Sequence, residues 1–144
     1  MMAPMTRFTR HRQPRSGCPI SIALDLLGDA WSLLIVRDLM FKDRRTYNDF
    51  LTGGEGIASN VLAARLRKLE AADIIEKQRD PADARRFLYR LSGKGIDLAP
   101  VLVELVIWSA RHAQTDAPPA VVQAMTHDKA AFLADIRRRW NADP

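Results

Sequence analysis

Residues 57–70 carry a helical pattern with two chemically different faces. Leu62, Leu66 and Leu69 recur at spacings of four and three, the repeat that gathers side chains on one side of an α-helix. Asn60, Ala64, Arg67 and Lys68 project almost opposite, with Ser59 and Ala63 near the start. That outer face is narrow, nearly free of acid, and small where it begins. A helix that enters a major groove needs an apolar back to hold it, a slim front to let it in, and cations for phosphates. Residues 74–79, a turn bearing Pro and Asp, and residues 86–91 then read as a hairpin studded with arginine. The combination predicts a winged helix-turn-helix, mainly α with a small β-hairpin, and hence a chain that reads double-stranded DNA.

The charge balance agrees. Over 144 residues, 22 basic side chains face 17 acidic ones, a net charge of +5 that favours a polyanionic partner. The excess is uneven. Residues 1–17 hold Arg7, Arg10, Arg12 and Arg15 without an acid, and the hairpin adds Lys77, Arg79, Arg85, Arg86 and Arg90. No apolar run approaches the roughly 18 residues of a membrane span, and residues 98–108 are short and interrupted by Glu104. The amino-terminal arginines lack the apolar stretch of a secretory signal. Cys18 is the single cysteine, which excludes an intrachain disulfide. The expectation is a cytoplasmic, nucleoid-associated protein with no membrane partner.

Three segments are predicted: a flexible basic arm over 1–16, a DNA-binding and dimerisation domain over 17–113, and a helical extension over 114–144. Pro19 suits the first position of a helix running to Leu27, with Cys18 near its N-cap. Gly28-Asp29 ends it and caps a second helix that carries Trp31, Leu34, Ile35 and Leu39 and closes around Phe41. Thr46 and Asp49 have capping-box spacing for a third, with Tyr47, Phe50 and Leu51 on its core side. The turn at residues 53–56 leads into the two-faced helix, which starts at Ala58 or Ser59. Ser92 is read as the cap of one long helix over 93–113. Its apolar residues cover more than one face, which a helix of a monomer does not need, so a second copy of the chain is the expected partner. Amino- and carboxy-terminal helices thus serve dimerisation, through Ile20, Leu24, Leu98, Leu102, Leu105, Val106 and Trp108. Residues 117–119 break the pattern, and a last amphipathic helix sets Val121, Met125, Phe132, Ile136 and Trp140 inside.

This order of residues resembles the HxlR family of bacterial transcriptional regulators. Cys18-Pro19 precedes the first helix, Gly28-Asp29-Ala30-Trp31 and residues 34–39 are similar to the family's "G-x-W … L-I-L-R-D-L", and residues 45–50 to its "R-F-x-E-L". Residues 57–70 are similar to its recognition helix, and residues 89–95 to "Y-x-L-T-x-x-G". The resemblance covers about residues 17–112. It implies a homodimeric winged helix that binds an inverted-repeat operator, as a repressor or in some members an activator. It also implies that a cysteine at position 18 acts in some members as a redox or electrophile sensor; the alternative is a small packing residue. The departures are Ala58 and Ala64, where the family often has serine and glutamine, and Asp73 in place of a glycine that leaves the helix in a left-handed conformation.

The candidate site therefore comprises Ser59, Asn60, Ala63, Ala64, Arg67 and Lys68 on the recognition helix and Arg79, Arg85 and Arg86 on the wing. Asn60 has the chemistry to pair with adenine, and Arg67 with guanine or a phosphate. In the wing, alternation of Phe87, Tyr89 and Leu91 toward the core turns Arg86 and Arg90 outward, with Arg85 near the tip. Solvated basic surfaces are the alternative for each. His11, His112 and His127 are isolated, so no metal is expected; residues 53–56 lack the Gly-Lys-Ser/Thr ending of a phosphate loop. No enzyme and no cofactor are predicted. A small-molecule or oxidant effector is a possible further partner, in the manner of the neighbouring MarR family, and a winged helix used for protein assembly is the remaining alternative.

Overall fold

The computed structural model describes residues 15–143. Helix α1 spans Pro19–Leu27, with Pro at its first turn and Cys18 as N-cap. It ends at Gly28, whose amide bonds Leu24 O at 2.8 Å. A Cβ at position 28 would lie 2.4 Å from that carbonyl, so only glycine closes the helix this tightly. Helix α2, Ser32–Phe41, begins on Asp29 as expected. Asp29 Oδ1 accepts from the Trp31 and Ser32 amides at 2.8 Å, and Oδ2 from the Ser32 hydroxyl at 2.6 Å.

Helix α3 is a five-residue piece, Tyr47–Leu51, held by a full capping box between Thr46 and Asp49. Phe50 is buried in it, but Tyr47, expected on the core side, is 36% exposed. Helix α4, Ser59–Ala71, begins after Ala58 and buries Leu62, Leu66 and Leu69. Asp73 leaves it at φ 61°, the left-handed conformation that its glycine-like position requires.

Strands β1, Ile75–Asp80, and β2, Asp83–Leu91, form an antiparallel hairpin with Ile75 opposite Leu91, Lys77 opposite Tyr89 and Arg79 opposite Phe87. The strands reach further than the sequence pattern suggested, leaving only Pro81-Ala82 between them. On the other edge of β2, the Tyr89 amide bonds Arg45 O at 2.8 Å and ties the hairpin to the start of α3.

The helix expected over 93–113 is two. Ser92 Oγ accepts from the Gly95 amide and caps a short α5, Gly93–Ile96. Helix α6, Ala99–His112, follows. Pro100 has no N–H to offer Ile96 O, which breaks the ladder between them. The last helix is also two, α7 over Pro119–His127 and α8 over Lys129–Ala142, separated at Asp128 with φ −127° and ψ 43°. Its expected inner face holds: Met125 and Ile136 are buried, and Val121, Phe132 and Trp140 pack half-buried on the core.

Val36, Leu62, Leu69, Ile75 and Val103 are the most deeply buried apolar residues, so α2, α4, the hairpin root and α6 share one core. Burying each such side chain contributes about 1.5–3 kcal/mol. Among the described residues, no single helix is long and apolar enough to cross a membrane.

Candidate nucleic-acid interface

Burial of the three leucines decides what α4 shows to solvent. Ser59, Asn60 and Arg67 are exposed, and Ala63 and Ala64 lie half-buried between them. The surface has no bulky side chain along its centre, and Asn60 and Arg67 flank an alanine floor. Ala58 supplies no side-chain cap. The first amides of α4 therefore have no partner within the helix and face the positive end of its dipole outward, an arrangement suited to a phosphate. Tyr47 donates its hydroxyl to Ser59 O at 2.8 Å. This pins the start of α4 to α3, a positioning role hidden in sequence because the aromatic residue fitted the core pattern.

A half-buried acid holds α4 from behind. Asp29 Oδ1 lies 3.1 Å from Arg65 Nε, and Oδ2 lies 3.9 Å from Lys68 Nζ. Burial alone would raise the Asp29 pKa, but the Ser32 hydroxyl, the Trp31 and Ser32 amides and Arg65 together lower it to about 2. One carboxylate thus starts α2 and anchors α4. Lys68 leans toward it, so this cation is partly neutralised within the protomer. A second network fixes the turn before α4. Buried Asp38 accepts from Arg37 at 2.8 Å and Arg44 at 3.1 Å, and Arg37 also reaches Glu55 at 2.7 Å. Burial works against the Arg37 charge, yet Glu55 and Asp38 raise its pKa overall.

The wing arginines differ from one another. Arg85 has a side chain 92% exposed, with Nε 3.3 Å from Asp83. Arg86 instead places Nε and Nη2 at 2.9 and 2.6 Å from Asp80 Oδ2. The Ala82 amide and Arg86 hold the Asp80 carboxyl below its usual range. Arg79 donates to Ala84 O at 2.5 Å and lies over the Phe87 ring, as does Lys77. Arg90, expected to point outward, is covered: its guanidinium stacks 5.1 Å from the Trp140 ring and donates to Trp140 O at 3.4 Å. The carboxy-terminal helix occupies the space where alternation alone would leave solvent.

Helices α1 and α6 present an apolar surface. Ile20 is 71% exposed, Leu24 55%, Leu105 45% and Trp108 63%; Ile22 and Val101 are also exposed. Leu98 and Val106 are half-buried. Leu102, expected at the same surface, packs into the protomer core and is not available to a partner. Cys18 is exposed, so the reading as a packing residue fails for the protomer. Arg15 pairs with Asp25 at 2.8 Å rather than with the thiol. The basic arm otherwise falls on residues 1–14, outside the described residues. Among the described residues, no group of three or more His, Cys, Asp or Glu side chains stands close enough to hold a metal ion.

A short α3, a glycine turn, an exposed α4 and a basic hairpin packed beside it define a winged helix-turn-helix. Residues 26–117 match the family described as HxlR-like helix-turn-helix, and the chain belongs to that family. Among its relatives, an uncharacterized HTH-type transcriptional regulator of Synechocystis is 36% identical over 88 residues, 61% of this chain and 64% of the relative. The HTH-type transcriptional regulator YodB of Bacillus subtilis is 33% identical over 93 residues, 64% of this chain and 82% of YodB. The first of these matches thus spans less than two thirds of the relative's length. The crystal structure of PA1607 superposes with a TM-score of 0.64 at 34% identity, covering 72% of this chain and 71% of that one. Reduced YodB superposes with a TM-score of 0.56 at 30% identity, covering 69% of this chain and 97% of YodB.

Proposed function

We propose that the protein is a transcriptional regulator that binds an inverted-repeat operator as a homodimer and represses by excluding polymerase. The observation that carries this reading is the face of α4, where exposed Asn60 and Arg67 stand either side of Ala63 and Ala64. Each α4 would lie in a major groove, with Asn60 and Arg67 at base edges or phosphates and Ser59 at a phosphate. Arg85 would reach the flanking minor groove, whose negative potential is greatest where A·T-rich sequence narrows it. The apolar surface of α1 and α6 supports pairing about a two-fold axis, which sets two half-sites about 34 Å apart. Naming of the relatives as HTH-type transcriptional regulators supports the same assignment. In vitro selection of bound DNA with the purified protein tests it. The expected product is a palindrome with half-sites one helical turn apart; recovery of unrelated sequences overturns it.

One observation favours an oxidant-responsive form of this function. Cys18 is exposed at the start of α1, two residues from Ile20 on the apolar surface. YodB has been solved in reduced, diamide-treated and quinone-bound forms. Conjugate addition of the Cys18 thiolate to a quinone, or its oxidation by diamide to a disulfide with a small thiol or with the same cysteine of a second copy, would place a new group at the edge of the apolar surface and alter the spacing of the two α4 helices. Diamide or a quinone should release the wild-type protein from DNA and leave Cys18→Ser bound. Equal release of both proteins removes this reading without touching the first.

A further inference from the structure

The family match ends at residue 117, yet the chain continues into two ordered helices that reach back to the wing. Four contacts define where α8 ends. The Trp140 indole N–H donates to Leu91 O at 2.9 Å, at the last residue of β2. The Trp140 ring carries the Arg90 guanidinium, and the Trp140 carbonyl accepts from it. Asp143 pairs with Arg45, whose own carbonyl accepts from the Tyr89 amide on the edge of β2. One helix end therefore holds the wing root directly and again through the segment that starts α3. The first residue of the same helix is fastened to α6, where Lys129 pairs with Glu104; nearer Trp140, Arg137 reaches Asp97 at 2.5 Å just before α6, and Ile136 is buried in the common core.

We propose that α8 is a brace between α6 and the wing, and that Trp140 is a positioning residue for DNA binding. By holding the root of β2 it fixes where Arg85 stands relative to Arg67 on α4. The hairpin needs such support. It has only two strands, and a two-stranded hairpin has little stability of its own. Beyond Tyr89 its outer residues, Arg79, Arg85 and Arg86, bury little apolar area. A wing hinged at residues 89–91 would sample many directions, and each phosphate contact would cost the ordering of the whole hairpin. Trp140 removes that freedom before DNA arrives.

The inference rests on the DNA-binding reading for its effect on affinity, but the brace itself is measurable without DNA. Trp140→Phe keeps a ring against Arg90 and removes the hydrogen bond to Leu91 O; Trp140→Ala removes both. In the full-length protein, amide exchange across residues 75–91 is expected to quicken by roughly tenfold in Trp140→Phe, as for the loss of one partly buried hydrogen bond, and by more in Trp140→Ala. Amides of α6 should keep their wild-type rates. On the selected operator, both variants should lose hydroxyl-radical protection at the minor-groove flanks and show a shallower salt dependence, while the preferred central bases stay the same. Unchanged hairpin exchange in both variants, or an equal rise throughout α6, overturns the brace. Faster hairpin exchange with wild-type flank protection overturns the positioning role. Should the wild-type protein select no sequence at all, the DNA-binding reading fails and the brace stands or falls on exchange alone.

Discussion

Arg86 closes the wing upon itself through Asp80: Nη2 lies 2.6 Å from Asp80 Oδ2, and the carboxylate is buried beneath the turn. Arg85, one residue earlier, has a side chain almost wholly in solvent. Two adjacent arginines of equal charge are thus assigned different work. Arg85→Ala is expected to weaken binding to all DNA sequences alike and to lower the slope of log K against log salt by about 1, the signature of one lost phosphate contact. Its melting temperature should match the wild type. Arg86→Ala leaves Asp80 without its cation, and melting of the hairpin should fall before any effect on affinity is considered. Salt-series binding and thermal melts of both variants separate the roles; equal behaviour of the two contradicts them.

On α4, Arg67 is an exposed cation that no acid among the described residues claims, whereas Arg65 and Lys68 lean toward Asp29. Arg67→Ala should cost about 1–3 kcal/mol of operator binding and relax selection at one base pair if the contact is to guanine. Lys68→Ala should cost less, because its charge is already shared with Asp29. Titrations on single-base operator variants measure both. A larger loss from Lys68→Ala than from Arg67→Ala would reverse the assignment.

Local chemistry explains which parts of this molecule are legible in its sequence. The capping box of Thr46 and Asp49, the Ser92 cap, Pro19 at the start of α1 and the left-handed Asp73 each depend on neighbours within a few residues. Sequence spacing specifies them. The leucines of α4 follow from helical periodicity in the same way. Pro100 was also visible, but a strong apolar pattern on both sides of it concealed the break at residues 97–98. The burial of Leu102, the pairing of Asp29 with Arg65 and the cover of Arg90 by Trp140 depend on how distant elements pack. No local rule distinguishes Leu102 from Leu105 until α6 is set against α2 and α7. Periodicity gave Arg90 its outward direction correctly, but could not tell that a later helix would occupy that space.

Asp29 makes acid stability a test of how α4 is held. Its folded pKa of about 2 lies below the ordinary carboxyl value of 3.8. A depressed carboxyl stabilises the fold fully above its unfolded pKa and loses that contribution as pH falls through the folded value. The window is therefore from about pH 4 down to about pH 2. The side chain is partly open to solvent, so the contribution is about 1 kcal/mol after screening. Asp29→Asn retains an N-cap acceptor but removes the charge facing Arg65. It should melt lower than the wild type at neutral pH by a few degrees, with the gap narrowing as pH falls through the window. A gap that stays constant from pH 7 to pH 2 excludes the charge as its cause.

Trp108 and Leu102 sit six residues apart on α6 and distinguish its exposed apolar surface, the proposed dimer face, from the core. Trp108 is 63% exposed in the protomer and Leu102 only 7%. Trp108→Glu adds a charge that a monomer can solvate but a dimer must bury, at a cost that an unpaired ion does not recover. Sedimentation equilibrium should then show a folded monomer with wild-type helical content, and operator binding should weaken because one reading head is left to act alone. Leu102→Ala should instead lower the stability of the fold by about 2–5 kcal/mol through the cavity it opens, at unchanged α6 surface. The contrast between the two is the decisive measurement. A Trp108→Glu protein that remains a dimer of wild-type strength would remove α6 from the interface, and with it the two-fold spacing that the operator is expected to match.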